Sequence, residues 1–163
     1  MAEHHRPLSA QERTQITDIL HWMTTGFLAV ADESPYVVPI NFAYDDFAGP
    51  NGWGKILIHS GEGKKSRALA RDARVCLTVL GESSFERGEG PCDDGFTFAS
   101  VLVEGKAELL TTIPEREQAL RMIVAKYDPE TVDSPFDERV LERTLVYSVT
   151  IDAVSLKQRP RRP

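Results

Sequence analysis

The stretch KILIHSGEGKKSRALARDARVCLTVL, residues 55–80, decides the fold. Its two ends, 55–60 and 73–80, are apolar runs of strand length. Between them Gly61 and Gly63 precede a basic segment that reads as a short helix over about 63–71. Lys64, Lys65, Arg67, Arg71 and Arg74 are opposed within 64–74 only by Asp72. Cations in a first helical turn work against the helix dipole by about 0.3–1 kcal/mol each. Two readings stay open on these residues: a solvated charged face, or a site for an anion such as phosphate. In the second, free N–H groups at the helix start and the lysine side chains would point at the anion, and the glycines would let backbone come close. A nucleotide-hydrolase P-loop is excluded by spacing. It needs glycine where Ile58 stands, and Ser or Thr where Lys65 follows Lys64.

His59 is the last but one residue of the strand that leads into this turn, on the face shared with Leu57 and opposite Ile56 and Ile58. It reads either as a satisfied strand histidine or as a ligand contact beside Ser60. His4, His5, His21 and His59 are scattered, and no Cys/His spacing matches a zinc site, so no metal is expected. Cys76 falls in a strand and is expected to be buried, and Cys92 falls in a loop and is expected to be exposed. No serine has the setting of a nucleophile elbow. The acidic pairs in DESP, YDDF and CDDG read as solvated loops. A chain without evident acid–base machinery but with a phosphate turn points to a bound cofactor that carries its own chemistry.

Outward from this centre, LSAQERTQITDILHWMTTG reads as an amphipathic helix. Ser9 and Glu12 form its capping box, and Ile16, Ile19, Leu20 and Met23 recur at helical spacing. FLAV (27–30) and YVVPINFAY (36–44) are strands around the turn ADESP. Pro39 places the second at a sheet edge or a bulge, since proline lacks the N–H of the ladder. GESSFERGEGPCDDG (81–95) has loop composition. FASVLVEGKAELL (98–110) alternates with a period of two, with Gly105 marking a bulge or close approach. TTIPEREQALRMIVAKY is a second long helix, PFDERVLERT a short one, and LVYSVTIDAVSL (145–156) a last strand. The basic tail KQRPRRP is expected to fray. Strands close in sequence favour antiparallel pairing, so the expected class is an α+β domain around a barrel or strongly curled sheet.

The 163 residues suit one domain, and the net charge of −6 argues against nucleic-acid binding. There is no apolar run of membrane-spanning length and no signal-peptide pattern, so a cytoplasmic protein is expected.

PYVVPINFAYD, ILIHSGEGKKSRALARDARVCLTV and FASVLVEGKAELL, in this order after an amphipathic helix, resemble the pyridoxamine 5'-phosphate oxidase-related FMN-binding split-barrel proteins. The nitroimidazole-resistance branch is the nearest in pattern. The likeness covers residues 9–157, leaving 158–163 as a tail. It implies one six-stranded antiparallel split β-barrel with flanking helices, forming a homodimer with FMN at two interface sites. By position, Val38, Pro39, Ile40 and Asn41 would lie along the isoalloxazine ring. Ile58, His59 and Ser60 would flank the ring and ribityl chain, and Lys64 and Lys65 would hold the phosphate. Ser100 and Val101 would complete the site, with the partner subunit as one source. The turn after His59 is one residue shorter than is common in that branch, which leaves open which lysine leads. The substrate-binding residues of the true pyridoxamine phosphate oxidases are not found, so that activity is not carried over. The resemblance implies a flavoprotein oxidoreductase passing electrons to a small organic acceptor, a nitro-aromatic among the options, with His59 as the candidate catalytic acid. The alternatives are a flavin binder without turnover, or a deazaflavin- or haem-binding relative on the same barrel.

Overall fold

The computed structural model describes residues 7–47, 49, 52–90 and 92–160. Helix α1 (Ala10–Trp22) leads into the hairpin β1 (Gly26–Val30) and β2 (Tyr36–Ile40), then β3 (Ala43–Asp45) and β4 (Lys55–Ser60). Helix α2 (Lys64–Arg71) connects to the long strands β5 (Arg74–Glu86) and β6 (Gly95–Leu109). Helices α3 (Ile113–Tyr127) and α4 (Glu138–Arg143) precede β7 (Leu145–Arg159). The sequence-read capping box is present: the Ser9 hydroxyl accepts the Glu12 N–H, and the Glu12 carboxylate accepts the Ser9 N–H. Helix α3 has a second box, Thr112 with Glu115.

All strands pair antiparallel in one sheet, ordered β2-β1-β5-β6-β7-β4-β3. Among the described residues the count is seven, not six, because the expected strand 36–44 breaks at Asn41-Phe42. Here the chain crosses from one edge of the sheet to the other. Only three Cα steps separate Ile40 on β2 from Ala43 on β3, so the two edges lie within about 11 Å at this end. The sheet therefore curls until its edges nearly meet, and remains split there. The backbone at the seam bonds to side chains instead of a ladder. The Phe42 N–H donates to the Tyr127 hydroxyl at 3.0 Å, and the Asn41 side-chain amide donates to the Thr24 carbonyl at 3.0 Å. Pro39 lies on edge strand β2, where its missing N–H leaves no gap between two neighbours.

Alternation sorts the side chains into two cores. Leu28, Ile56, Ile58, Leu77, Val79, Val101, Val103, Val149 and Ile151 fill the inside of the curl with Phe42, and α1 covers it with Ile16, Ile19 and Leu20. On the outside of β3, β4 and β7, residues Ala43, Leu57 and Val146 pack under Ala119, Leu120 and Ile123 of α3 and Leu141 of α4. Gly105 combines both roles expected of it. A register shift falls between Glu104 and Gly105, and a Cβ on Gly105 would come within 2.2 Å of the Thr150 carbonyl oxygen.

Two loop readings are corrected. Strand β5 continues through a bulge after Leu80 to Glu86, paired with β6 back to Gly95, so only the centre of 81–95 is a loop. The Phe85–Phe96 ring contact and the Ser84–Thr97 hydroxyl bond hold this arm together. In the tail, Lys157–Arg159 pair with Phe98–Ser100 as the end of β7, because β6 is long enough to offer them partners. The arginines at 161 and 162 lie outside the described residues.

Candidate functional site

Helix α2 starts at the open end of the curl, between the end of β4 and the β1–β2 turn. Its N-cap is Gly63, whose N–H donates to the Ser66 hydroxyl at 2.9 Å, and Ser66 is buried. Its apolar side, Ala68 and Leu69, enters the barrel core. This anchoring leaves Lys64 and Lys65 at the helix start with different surroundings.

Lys64 reaches the β1–β2 turn. Its ammonium lies 3.4 Å from the Asp32 carboxylate and 4.5 Å from the centre of the Tyr36 ring. Arg71, two turns along α2, bonds the other oxygen of the same carboxylate. The Asp32 side chain is only 7% exposed. This corrects the reading of DESP as a solvated run: Asp32 is enclosed by two cations distant in sequence. A backbone hydrogen bond from Glu33, followed by Lys64 and Arg71, lowers its pKa against the opposing effect of burial.

Lys65 turns the other way. It is half-buried, and its ammonium donates to the His59 carbonyl at 3.2 Å. Among the described residues no carboxylate pairs with it, so its charge and two of its N–H donors are left without a protein partner. Desolvation lowers its pKa. His59 stays exposed on the outer face of β4, opposite Val146. Desolvation first, then the charge of Lys65, lowers the imidazole pKa, which favours the neutral ring. The Ser60 hydroxyl donates to the Gly61 carbonyl at 2.7 Å. Gly61 and Gly63 face open space, with no heavy atom within 4 Å of where a Cβ would stand.

The structure thus gathers His59, Ser60, Lys64 and Lys65 at one turn. The other sequence-read residues divide by face. Ile40, Ile58 and Val101 have core side chains and can offer a ligand only backbone. Val38 packs partly against the core, and Pro39 is exposed on the outer face opposite Phe27. Asn41 is exposed and uses its amide N–H on Thr24. Ser100 and Val101 stand apart. Strand β6 is three strands from β2, about 14 Å at the usual strand spacing. Val101 is also about 14 Å along β6 from Gly105, the residue level with the β1–β2 turn.

Across β2-β1-β5-β6 the outer face is apolar where solvent-facing residues would be expected. Phe27, Val37, Leu80 and Leu102 are all exposed there, and Phe85 and Phe96 prolong the stripe along the arm. Cys76, on the same face, is only half-buried, and burial with the nearby Glu104 raises its thiol pKa. Cys92 is exposed as expected. A groove of about 890 Å³ lies elsewhere, between α1 and the arm. Among the described residues, no three His, Cys, Asp or Glu side chains gather to hold a metal. None of the helices there is long and apolar enough to cross a membrane.

The family model described as pyridoxamine 5'-phosphate oxidase matches residues 12–158. The chain belongs to this family. Among solved structures, a candidate 5-nitroimidazole antibiotic resistance protein from Bacteroides thetaiotaomicron is 24% identical, with a TM-score of 0.73 over 96% of this chain and 94% of that one. An FAD-binding protein from Mesorhizobium loti is 25% identical, with a TM-score of 0.63 over 95% of this chain and 98% of its own. An FAD and heme binding protein from Mycobacterium smegmatis is 21% identical, with a TM-score of 0.77 over 90% of this chain and 70% of its own. No curated protein sequence matches. For this member of the pyridoxamine 5'-phosphate oxidase family, the neighbours support the split-barrel fold despite its seventh strand.

Proposed function

We propose that this protein is an FMN-binding oxidoreductase of the pyridoxamine 5'-phosphate oxidase family, with the flavin phosphate held at the start of α2. The observation that carries the reading is Lys65: a half-buried lysine at the turn of the open Gly61 and Gly63, with no carboxylate partner among the described residues. Such a group gains most from an anion that can take its free N–H donors, because charge-assisted hydrogen bonds are worth more where water is partly excluded. The residues present fit a phosphate monoester. Gly61 and Gly63 leave room for it, the first N–H groups of α2 would donate to it, and His59 and Ser60 would border the ribityl chain. When bound, the flavin would accept two electrons from a reduced donor and pass them to a small organic acceptor, a nitro-aromatic being one candidate. The chain's part would be to bind and orient the group. Val38, Pro39 and Asn41 would border the ring, the backbone of Ile40 would face it, and His59 would be the candidate proton donor.

The exposed apolar face formed by Phe27, Val37, Leu80 and Leu102 supports a homodimer. The separation of Ser100 and Val101 from β2 and from the level of the β1–β2 turn supports their serving the partner's site rather than their own. Residues 9–157 would form one flavin-binding domain.

A second reading, haem at the same site, is favoured by one observation. The exposed His59 imidazole is biased to its neutral form, the form that ligates iron. The absorbance spectrum of the purified protein, followed by titration with FMN, separates these readings. Oxidised-flavin bands or tight FMN uptake support the first, and a Soret band supports the second. A colourless protein that ignores FMN and haem overturns both and leaves the lysines as a charged helix face, unless deazaflavin binds.

A further inference from the structure

The two lysines are adjacent in sequence but not equivalent, and the difference is Asp32. We propose that Asp32 is a positioning residue that draws Lys64 towards the β1–β2 turn and neutralises it, leaving Lys65 as the cation that anchors the phosphate. The inference deepens the flavin reading and rests on it for the identity of the ligand.

Three observations carry it. First, the Asp32 carboxylate is enclosed and lies between Lys64 and Arg71, residues on one side of α2 two turns apart. An enclosed carboxylate with two cationic partners is a stable anchor, and removing its charge would leave both cations uncompensated. Second, Lys64 also lies over the Tyr36 ring, so a charge and a π-face both hold its head on the hairpin side. Third, Lys65 points away from this cluster to the end of β4, and no carboxylate among the described residues competes with a ligand for it. The first turn of α2 thus holds one cation paired with a carboxylate of the chain and one that is not. This also answers the electrostatic oddity of two lysines at the positive end of a helix dipole. Asp32 offsets one, and the ligand offsets the other.

The signature is opposite in sign to structural damage. Asp32→Asn keeps the shape and an acceptor oxygen but removes the charge, freeing Lys64 and Arg71. Binding of a phosphate dianion should then tighten, by about two- to threefold at low salt, with the gain lost once salt screens the added charge. Lys65→Ala should weaken binding by about tenfold or more, the size of one charge-assisted hydrogen bond, whereas Lys64→Ala should change it by less than about threefold. Asp32→Asn/Lys64→Ala should fall back towards the wild type.

The test is titration of the full chain and these variants with FMN and, in parallel, with inorganic phosphate, each at low and high salt. Equal losses for Lys64→Ala and Lys65→Ala overturn the proposal. So does weaker binding by folded Asp32→Asn. If Asp32→Asn fails to fold, the Lys64→Ala to Lys65→Ala ratio alone decides. If the wild type binds phosphate but not FMN, the flavin reading falls, and the Asp32 proposal is judged on the phosphate series. If it binds neither, both fall.

Discussion

The Tyr127 hydroxyl closes the split edge of the sheet on Phe42. It accepts the Phe42 N–H at 3.0 Å and lies 2.9 Å from the Phe42 carbonyl oxygen and 2.7 Å from that of Thr24. Its single proton serves one carbonyl at a time. One side chain at the end of α3 thus stands in for the ladder bonds that the break between β2 and β3 removes. Tyr127→Phe would leave the Phe42 N–H without this partner beside a fully buried ring. Such a loss is worth about 1–3 kcal/mol. Urea unfolding of the variant should show a lower midpoint with an unchanged slope. A midpoint equal to wild type would mean that water replaces the hydroxyl and that the seam does not need it.

The neighbouring Lys126 makes stability depend on pH in an unusual direction. Its ammonium donates to the Leu20 carbonyl at the end of α1 and lies 3.8 Å from the centre of the Phe42 ring, and burial lowers its pKa to about 8. An unfolded lysine titrates near 10.4. Between about pH 8 and 10.4 the unfolded chain therefore holds more protons at this site than the folded one, so stability contributed here rises with pH. The wild type should gain stability relative to Lys126→Met across that window. A flat difference would mean that the carbonyl and the ring fully compensate for burial of the charge.

Much of this architecture is legible in the sequence, and the failures have physical causes. The period of two in 98–110 marks β6, and the Ser9–Glu12 box marks α1, because both are local rules. The seventh strand is hidden because YVVPINFAY keeps strand composition straight through the seam. The seam is bridged by Tyr127, 85 residues away from Phe42. The enclosure of Asp32 is hidden for the same reason, since its partners Lys64 and Arg71 lie in another element. At the site, the clustering of His59, Ser60, Lys64 and Lys65 follows from a strand running into a helix. The non-equivalence of the lysines does not, because it depends on which neighbour each side chain meets.

Two glycines flanking this region should behave oppositely. At Gly105 a Cβ would collide with backbone, at 2.2 Å from the Thr150 oxygen and 3.1 Å from its carbonyl carbon, and neither can rotate away. Gly105→Ala should therefore shift β7 against β6 and destabilise the fold by about 1–3 kcal/mol or more. Gly61→Ala meets open space and should unfold within about 0.5 kcal/mol of wild type. Thermal melts of the pair check the contrast, and equal shifts would contradict the bulge packing.

The outer face gives the last prediction. Leu102 lies level with Thr78 and Phe27 across β6, β5 and β1, in the middle of the exposed apolar stripe. Its side chain is 38% exposed, so a lysine there can keep its stem on the sheet and its charge in water. Leu102→Lys should leave the single chain folded, with a melting temperature in dilute solution no lower than that expected from a lost dimer. If the face joins two copies, two buried ammonium groups would meet near its centre, and the variant should sediment as a monomer. Because Ser100 and Val101 are proposed to complete the partner's site, the monomer should also bind FMN more weakly while Lys65 is untouched. A dimeric Leu102→Lys would place the interface elsewhere, and a monomer with full FMN affinity would confine the site to one chain.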